Sequence, residues 1–287
     1  MTVRELAKDF DTNYMQNRLR PSTLRGYRVN IEKHILPHLG DFNVEEVQVD
    51  NLDDLTRLLK PKLSNKSIVY VHATFRKMFS YAVRRRLVQN HPYDMFDMPR
   101  VEKYHYCTLN EEEIKRILEL SANTEIGVAV LLAICYGLRR GECLGVIPAK
   151  DLDYRKRTLH VQRTRSVERG KEVITPCKTE KSNRKILLTA EHAAYLLSLM
   201  NGNEYACPLT PNQLNYKFKM FLEYNDLPHV RFHDLRHSFA TLMLEKGIHP
   251  KIVSTVLGHS GVSVTLDIYS HPDVRMQEVC TQVISSL

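Results

Sequence analysis

Val3, Leu6, Phe10 and Tyr14 recur at the spacing of a helix with one buried face, and Thr2-Val3-Arg4-Glu5 ahead of them reads as its capping box. Pro21-Ser22-Thr23 opens a second helix, expected to run to Leu36 and to end at Pro37 and Gly40; Asp50 is expected to cap a short helix through Leu59. From Ser64 the stripe Ile68, Val71, Phe75, Met78, Phe79, Ala82 and Val83 marks the clearest amphipathic helix of this half. Residues 1–96 are therefore predicted to form a small all-helical domain of about four helices. Arg76, Lys77, Arg84, Arg85 and Arg86 lie off the apolar stripe, where they would meet a phosphate backbone or simply solvent.

Pro92 and Pro99 break the helical pattern and predict a linker over 97–107. A second domain, 108–287, is expected to begin with a capping box at Thr108-Leu109-Asn110-Glu111. The run Ile126 to Tyr136 is apolar on every face, which predicts a fully buried helix ended by Gly137. Periodicity then changes. Thr158 to Arg163, Glu172 to Pro176 and Lys185 to Leu188 read as strands of one small antiparallel sheet, divided by charged turns such as Glu168-Arg169-Gly170. Thr189 and Thr210-Pro211 open two more helices, and Asp234 to Lys246 and Lys251 to Leu257 are helices ended by Gly247 and Gly258. Ser263 is expected to cap the segment that bears Tyr269. The fold class is thus an all-α N-terminal bundle followed by a mixed α+β domain, mainly helical with a small antiparallel sheet.

Composition narrows the partners. A formal net charge of +8 and a pI near 9.1 favour a polyanion such as nucleic acid. No apolar run approaches bilayer length, and Met1-Thr2-Val3-Arg4-Glu5 leads straight into a polar helix, which predicts a cytoplasmic protein without membrane contact. The six cysteines are scattered without a Cys-x-x-Cys pair, so neither a zinc knuckle nor a disulfide framework is indicated.

The chemistry is concentrated late in the chain. Phe232-His233-Asp234-Leu235-Arg236-His237 and Gly258-His259-Ser260 through Tyr269 bring a phenol, histidines and an arginine within about forty residues. A tyrosine hydroxyl can attack a phosphodiester and hold the broken end as a phosphotyrosine. The negative charge that develops on phosphorus oxygens calls for cationic donors, and His233 and Arg236, three apart, share a helix face. His233 and His237 also have a spacing able to bind zinc. However, the glutamate of a His-Glu-x-x-His motif is absent and Arg236 would set a cation beside the metal, so no metal site is assigned.

With Tyr136-Gly137-Leu138-Arg139-Arg140-Gly141-Glu142, the sequence resembles the tyrosine recombinase (phage integrase) family. That family shows Gly-x-Arg-x-x-Glu, a hairpin lysine, His-x-x-Arg, Leu-Gly-His and a tyrosine about ten residues later, and all five stand here in that order. The resemblance implies that Tyr269 is the nucleophile, with Arg139, His233, Arg236 and His259 on the scissile phosphate and Glu142 orienting Arg139. It also implies that Lys178, within Lys-Thr-x-x-Ser-x-Arg, is the general acid, with Lys181 its rival. It departs at Gly141 and Gly261, where serine, or serine or asparagine, is frequent.

The expected activity is site-specific DNA strand transfer through a 3′-phosphotyrosyl link, with double-stranded DNA as partner and no cofactor. Relatives work as tetramers on two DNA sites, with possible directionality or DNA-bending accessory factors. Val274, Val279, Val283 and Leu287 suggest that the tail 274–287 is a helix, docking on a neighbouring protomer or on its own chain. A separate N-terminal arm-binding domain is not expected in this chain. Integration or excision of a phage or mobile element is the leading role. Chromosome-dimer resolution, a fragment of a longer integrase, a non-catalytic DNA-binding protein of the same fold and a swivelling topoisomerase are the alternatives.

Overall fold

The computed structural model describes residues 1–101, 107–168, 170–177, 180–201, 204–259 and 261–268. Contacts divide the chain into two units, Met1–Tyr104 and His105–Leu287.

In the first unit, α1 (Val3–Phe10) runs through a π-helical turn, Asp11–Met15, into α2 (Gln16–Arg18). Its start is the expected capping box, Thr2 accepting from the Glu5 N–H and Glu5 from the Thr2 N–H. The next helix does not stop at Pro37. α3 (Pro21–Asn30) continues through a second π turn, Ile31–Ile35, into α4 (Leu36–Leu39). The Leu36 N–H reaches back five residues to Ile31 O, and this wider turn makes room for a proline ring inside the helix. α5 (Val49–Leu59) is capped by Gln48 rather than Asp50, which lies within its first turn. α6 (Asn65–Arg84) follows Ser64, whose hydroxyl accepts from the Ser67 N–H. Its stripe Ile68, Val71, Phe75, Met78, Phe79 and Ala82 is buried against Val3, Leu6, Phe10, Ile31, Ile35 and Leu55.

The basic run beyond the stripe does not share one helical face. The helix ends at Arg84, and Arg86 has left-handed backbone (φ +59°), so Arg84, Arg85 and Arg86 straddle a turn. Lys77 lies over the Tyr14 ring and Arg85 over the Tyr81 ring, while Arg76 is exposed.

In the second unit, α7 (Glu111–Ser121) is capped by Asn110 rather than Thr108, with Glu113 closing the box. α8 (Gly127–Tyr136) is the buried helix at the centre, and it ends on left-handed Gly137. α9 (Arg140–Gly145) and α10 (Pro148–Asp151) lead into the strands.

These form two antiparallel sheets, not one. β1 (Leu152–Asp153), β2 (Thr158–Val161) and β5 (Arg184–Leu187) pair in the order β1-β2-β5, while β3 (Arg163–Glu168) and β4 (Lys171–Pro176) form a separate hairpin. The break falls at Gln162. Buried Asp151 accepts from both the Gln162 and Arg163 side chains, so neighbouring residues turn to one partner and the strand alternation is interrupted.

α11 (Ala190–Ser198) and α12 (Pro211–Tyr224) start at Thr189 and Thr210 as expected. α13 (Asp234–Glu245) packs on α8, and α14 (Pro250–Leu257) ends on left-handed Gly258. α15 (Val262–Ile268) already includes Ser263, so that residue lies within the first turn instead of capping it. The core joins Val130, Ala133 and Ile134 of α8 to Leu159, Ile186, Leu196, Phe218 and Leu235.

Among the described residues no helix is long and apolar enough to cross a membrane.

Candidate active site

Two helices end at one place. Each stops in a left-handed glycine, Gly137 after α8 (φ +63°) and Gly258 after α14 (φ +66°), so each turns sharply and leaves its last carbonyls without helical partners. Arginine side chains take up those carbonyls. Arg236 Nη1 donates to Gly137 O at 2.6 Å and Nη2 to Leu257 O at 2.9 Å. Arg139 Nη2 donates to Gly258 O at 3.3 Å, and Arg184 Nε donates to Val256 O. The negative ends of the two helix dipoles face the guanidinium groups, which favours cations there.

One carboxylate completes the cluster. Glu142 Oε1 accepts from Arg139 Nη1 at 2.8 Å, and Oε2 accepts from the Arg139 backbone N–H and from Arg184 Nη2, both at 3.0 Å. Burial alone would raise the Glu142 carboxyl, but Arg184 and then Arg139 outweigh it and hold the group below the ordinary glutamate value. Two guanidinium groups, Arg139 and Arg184, thus share one carboxylate, and its charge is also felt by Arg236. Burial, followed by the nearby Arg139 charge, lowers Arg236 to about 9. The cluster has an unmet demand for negative charge, and the Arg139 side chain, 36% exposed, opens it to solvent.

Histidines border the arginines. His259 follows Gly258, and its Nδ1 lies 2.9 Å from the fully buried Thr265 Oγ1 of α15, which fixes the ring. Burial and the Arg236 charge lower His259 to about 4. His233 stands at the start of α13 with its ring edge-to-face on His237, centroids 5.0 Å apart. It remains exposed to solvent, while partial enclosure and the Arg236 charge lower it below the usual histidine value.

The sequence-predicted residues Arg139, Glu142, Arg236 and His259 are therefore joined through the two glycine turns, and His233 precedes Arg236 by less than one helical turn. Lys178 and Tyr269 lie outside the described residues, as does the tail 274–287. Arg76, Lys77, Arg84, Arg85 and Arg86 belong to the other unit. Sequence reasoning missed Arg184 and Thr265. Arg184 was within reach, since it is the last residue of the Lys-Thr-x-x-Ser-x-Arg motif; Thr265 carried no signal of its own.

This arrangement suits the binding of a phosphodiester. Residues 108–276 match the Phage integrase family, and residues 2–56 match the phage integrase N-terminal SAM-like domain. The chain belongs to the phage integrase family and is a tyrosine-type site-specific DNA recombinase.

A "Tyrosine recombinase XerC-like" protein of Caldanaerobacter subterraneus is 26% identical, covering 96% of this chain and 76% of that protein. The ICEBs1 integrase of Bacillus subtilis is 24% identical over 88% of this chain and 74% of its own. Among solved structures, the Tn1549 transposon integrase in complex with transposon right end DNA superposes with a TM-score of 0.84 at 20% identity, over 99% of this chain and 100% of that one. A lambda integrase tetramer bound to a Holliday junction superposes at 0.73 with 17% identity, over 96% of this chain and 78% of that one.

Proposed function

We propose that the chain integrates or excises a mobile element by strand transfer on double-stranded DNA. The arginine cluster carries this reading, because guanidinium groups held on helix C-terminal carbonyls around one carboxylate are poised for an added anion. The ICEBs1 and Tn1549 integrases among its relatives support the mobile-element role.

In the proposed reaction the Tyr269 oxygen attacks the scissile phosphorus. Its proton passes to His233, whose enclosure and the nearby Arg236 charge favour the neutral ring. Arg139, Arg236 and His259 donate to the non-bridging oxygens as charge develops there. In the tautomer where the Thr265 hydroxyl donates to His259 Nδ1, the His259 proton sits on Nε2 and is available to the phosphate. Lys178 gives a proton to the departing 5′ oxygen, leaving a 3′-phosphotyrosyl bond and a free 5′ hydroxyl. The hydroxyl of a partner strand then attacks the adduct and releases tyrosine. Residues 1–96, with Arg76, Lys77, Arg84, Arg85 and Arg86, would hold the duplex with residues 108–287. Four protomers would assemble on two sites, with the tail 274–287 docking on a neighbour.

Covalent trapping tests this. The protein is incubated with nicked oligonucleotides tiled from the DNA flanking its own gene, and a detergent-resistant adduct is sought. The expected result is an adduct that Tyr269→Phe abolishes and Lys178→Ala slows; binding without any adduct would overturn the assignment. Chromosome-dimer resolution is the second reading, favoured by the XerC relatives, and it predicts an adduct with chromosomal rather than flanking DNA.

A further inference from the structure

Arg184 has no part in the reaction just described, yet its side chain donates three hydrogen bonds at the site. We propose that Arg184 is a positioning residue. It divides the Glu142 carboxylate with Arg139 and ties β5 to the last turn of α14, so that Arg139 and His259 face the same phosphate. The inference rests on the strand-transfer reading above.

All three guanidinium nitrogens of Arg184 donate to protein: Nη2 to Glu142 Oε2 at 3.0 Å, Nη1 to Ser182 O at 3.2 Å, and Nε to Val256 O. Its side chain is only 7% exposed, against 36% for Arg139. With Nε, Nη1 and Nη2 all committed to protein acceptors, Arg184 acts through its neighbours, while Arg139 keeps a face for a ligand. Ser182 lies at the end of the segment that joins β4 to β5, Glu142 lies on α9, and Val256 lies in the last turn of α14. One side chain thus connects three separate pieces of backbone.

Gly258 shows how closely the turn before His259 is moulded to it. A Cβ there would come within 3.1 Å of Arg184 Nη1 and 3.2 Å of its Cδ, besides meeting Lys181 O at 2.8 Å. A lysine cannot reproduce this, because one ammonium cannot reach three acceptors that a planar guanidinium spans.

Electrostatics adds a second consequence. The groups that act on Glu142 are Arg139 at the start of its own helix, Arg184 from β5 and Arg236 from α13, with the Cys143 and Cys177 thiols beside it. Arg184 is the strongest of those that keep the carboxyl ionised despite its burial. Without it the carboxylate keeps Arg139 as its one hydrogen-bonded arginine, with Arg236 acting only at a distance, and takes up a proton more readily. Arg139 then loses the partner that aims it.

The experiment has two arms. In the first, the protein without DNA carries ¹³C-labelled glutamate and ¹⁵N-labelled histidine, and the Glu142 carboxyl, assigned with Glu142→Gln, is titrated by NMR. Arg184→Met is expected to raise the Glu142 midpoint and shift the His259 ring signals. Arg165→Met, which removes another buried arginine paired with a glutamate, Glu172, should leave both unchanged. In the second, adduct formation on the tiled nicked oligonucleotides is expected to fall about 10–100-fold in Arg184→Met, as when the partners that orient metal ligands are removed. Arg184→Lys should lie between, and the loss should steepen as pH drops.

A wild-type Glu142 midpoint with wild-type His259 signals, or a wild-type adduct rate, overturns the proposal. If Arg184→Met does not fold, Arg184→Lys carries both comparisons. Absence of an adduct from the wild-type protein would sink the strand-transfer reading instead, and the titration would still decide whether Arg184 organises the cluster.

Discussion

Glu142 and Arg184, forty-two residues apart in the chain, pair at 3.0 Å with less than a tenth of either side chain exposed. Replacing Glu142 by glutamine keeps the shape but leaves the arginines without their counter-charge. Glu142→Gln is expected to cost about 3–5 kcal/mol, the range for removing one member of a buried ion pair. Urea melts at neutral pH measure it. The folded Glu142 carboxyl lies below its unfolded value, so its contribution is complete above the ordinary glutamate range and is lost as pH falls through the depressed folded value. The difference between wild type and Glu142→Gln should therefore shrink at strongly acid pH.

Gly137 and Gly247 are both left-handed, but only one is crowded. A Cβ at Gly137 would sit 2.4 Å from Leu257 Cδ2 and 2.7 Å from Phe239 Cδ1, whereas at Gly247 nothing lies within 4 Å. Gly247→Ala should cost about 1 kcal/mol from backbone strain alone. Gly137→Ala should add about 1–3 kcal/mol of overpacking to that strain, and should also weaken adduct formation by moving the carbonyl that holds Arg236. Equal losses of stability in the two variants would contradict this account.

α9 seats its small residues directly on β3. A Cβ at Gly141 would meet Thr164 Cγ2 at 2.4 Å and Arg165 O at 3.1 Å, which accounts for a glycine at this position. Gly141→Ala is expected to destabilise by about 1–3 kcal/mol. Adding Thr164→Ser, which deletes the obstructing methyl, should recover most of it; a double variant no more stable than the single would show that the contact is not the cause.

In the first unit, His72 is wholly buried, with Nε2 2.8 Å from Thr56 Oγ1 and Nδ1 2.9 Å from Tyr93 Oη. Thr56 donates onward to Leu52 O, so His72 donates from Nε2 and accepts the Tyr93 hydroxyl at Nδ1. Burial lowers this imidazole to about 4. Between that value and the ordinary 6.5 the unfolded chain binds the extra proton, so stability rises with pH across this window and is complete above it. The expected loss on acidification is roughly 3 kcal/mol at its limit. His72→Gln should flatten the pH dependence of denaturant midpoints over this range, and an unchanged slope would contradict the assignment.

Much of this was legible in the chain. The apolar spacing from Val3 to Tyr14 and from Ile68 to Ala82 marked amphipathic helices, and Ile126 to Tyr136 marked a buried one, because burial acts on side chains at the period of the backbone. Gly137 and Gly258 announced left-handed helix ends for a similar reason, since few residues other than glycine accept that conformation. The helix that passes through Pro37 was not legible. A local rule says that proline stops a helix, and only the π turn before it changed the outcome. Nor was the split of the strands into two sheets, which depends on buried Asp151 drawing on both Gln162 and Arg163.

The site divides in the same way. Sequence alone nominated the candidate groups: helical spacing put His233 and Arg236 on one face, and resemblance to a family pattern added Arg139, Glu142 and His259. Tertiary structure decided which groups hold the others. Arg184 meets Glu142 and Val256 across forty-two and seventy-two residues, and Thr265 meets His259 from the next helix. Such contacts obey no local period. They exist because two helices end side by side, and their unpaired carbonyls and one buried carboxylate leave an arginine no better place to go.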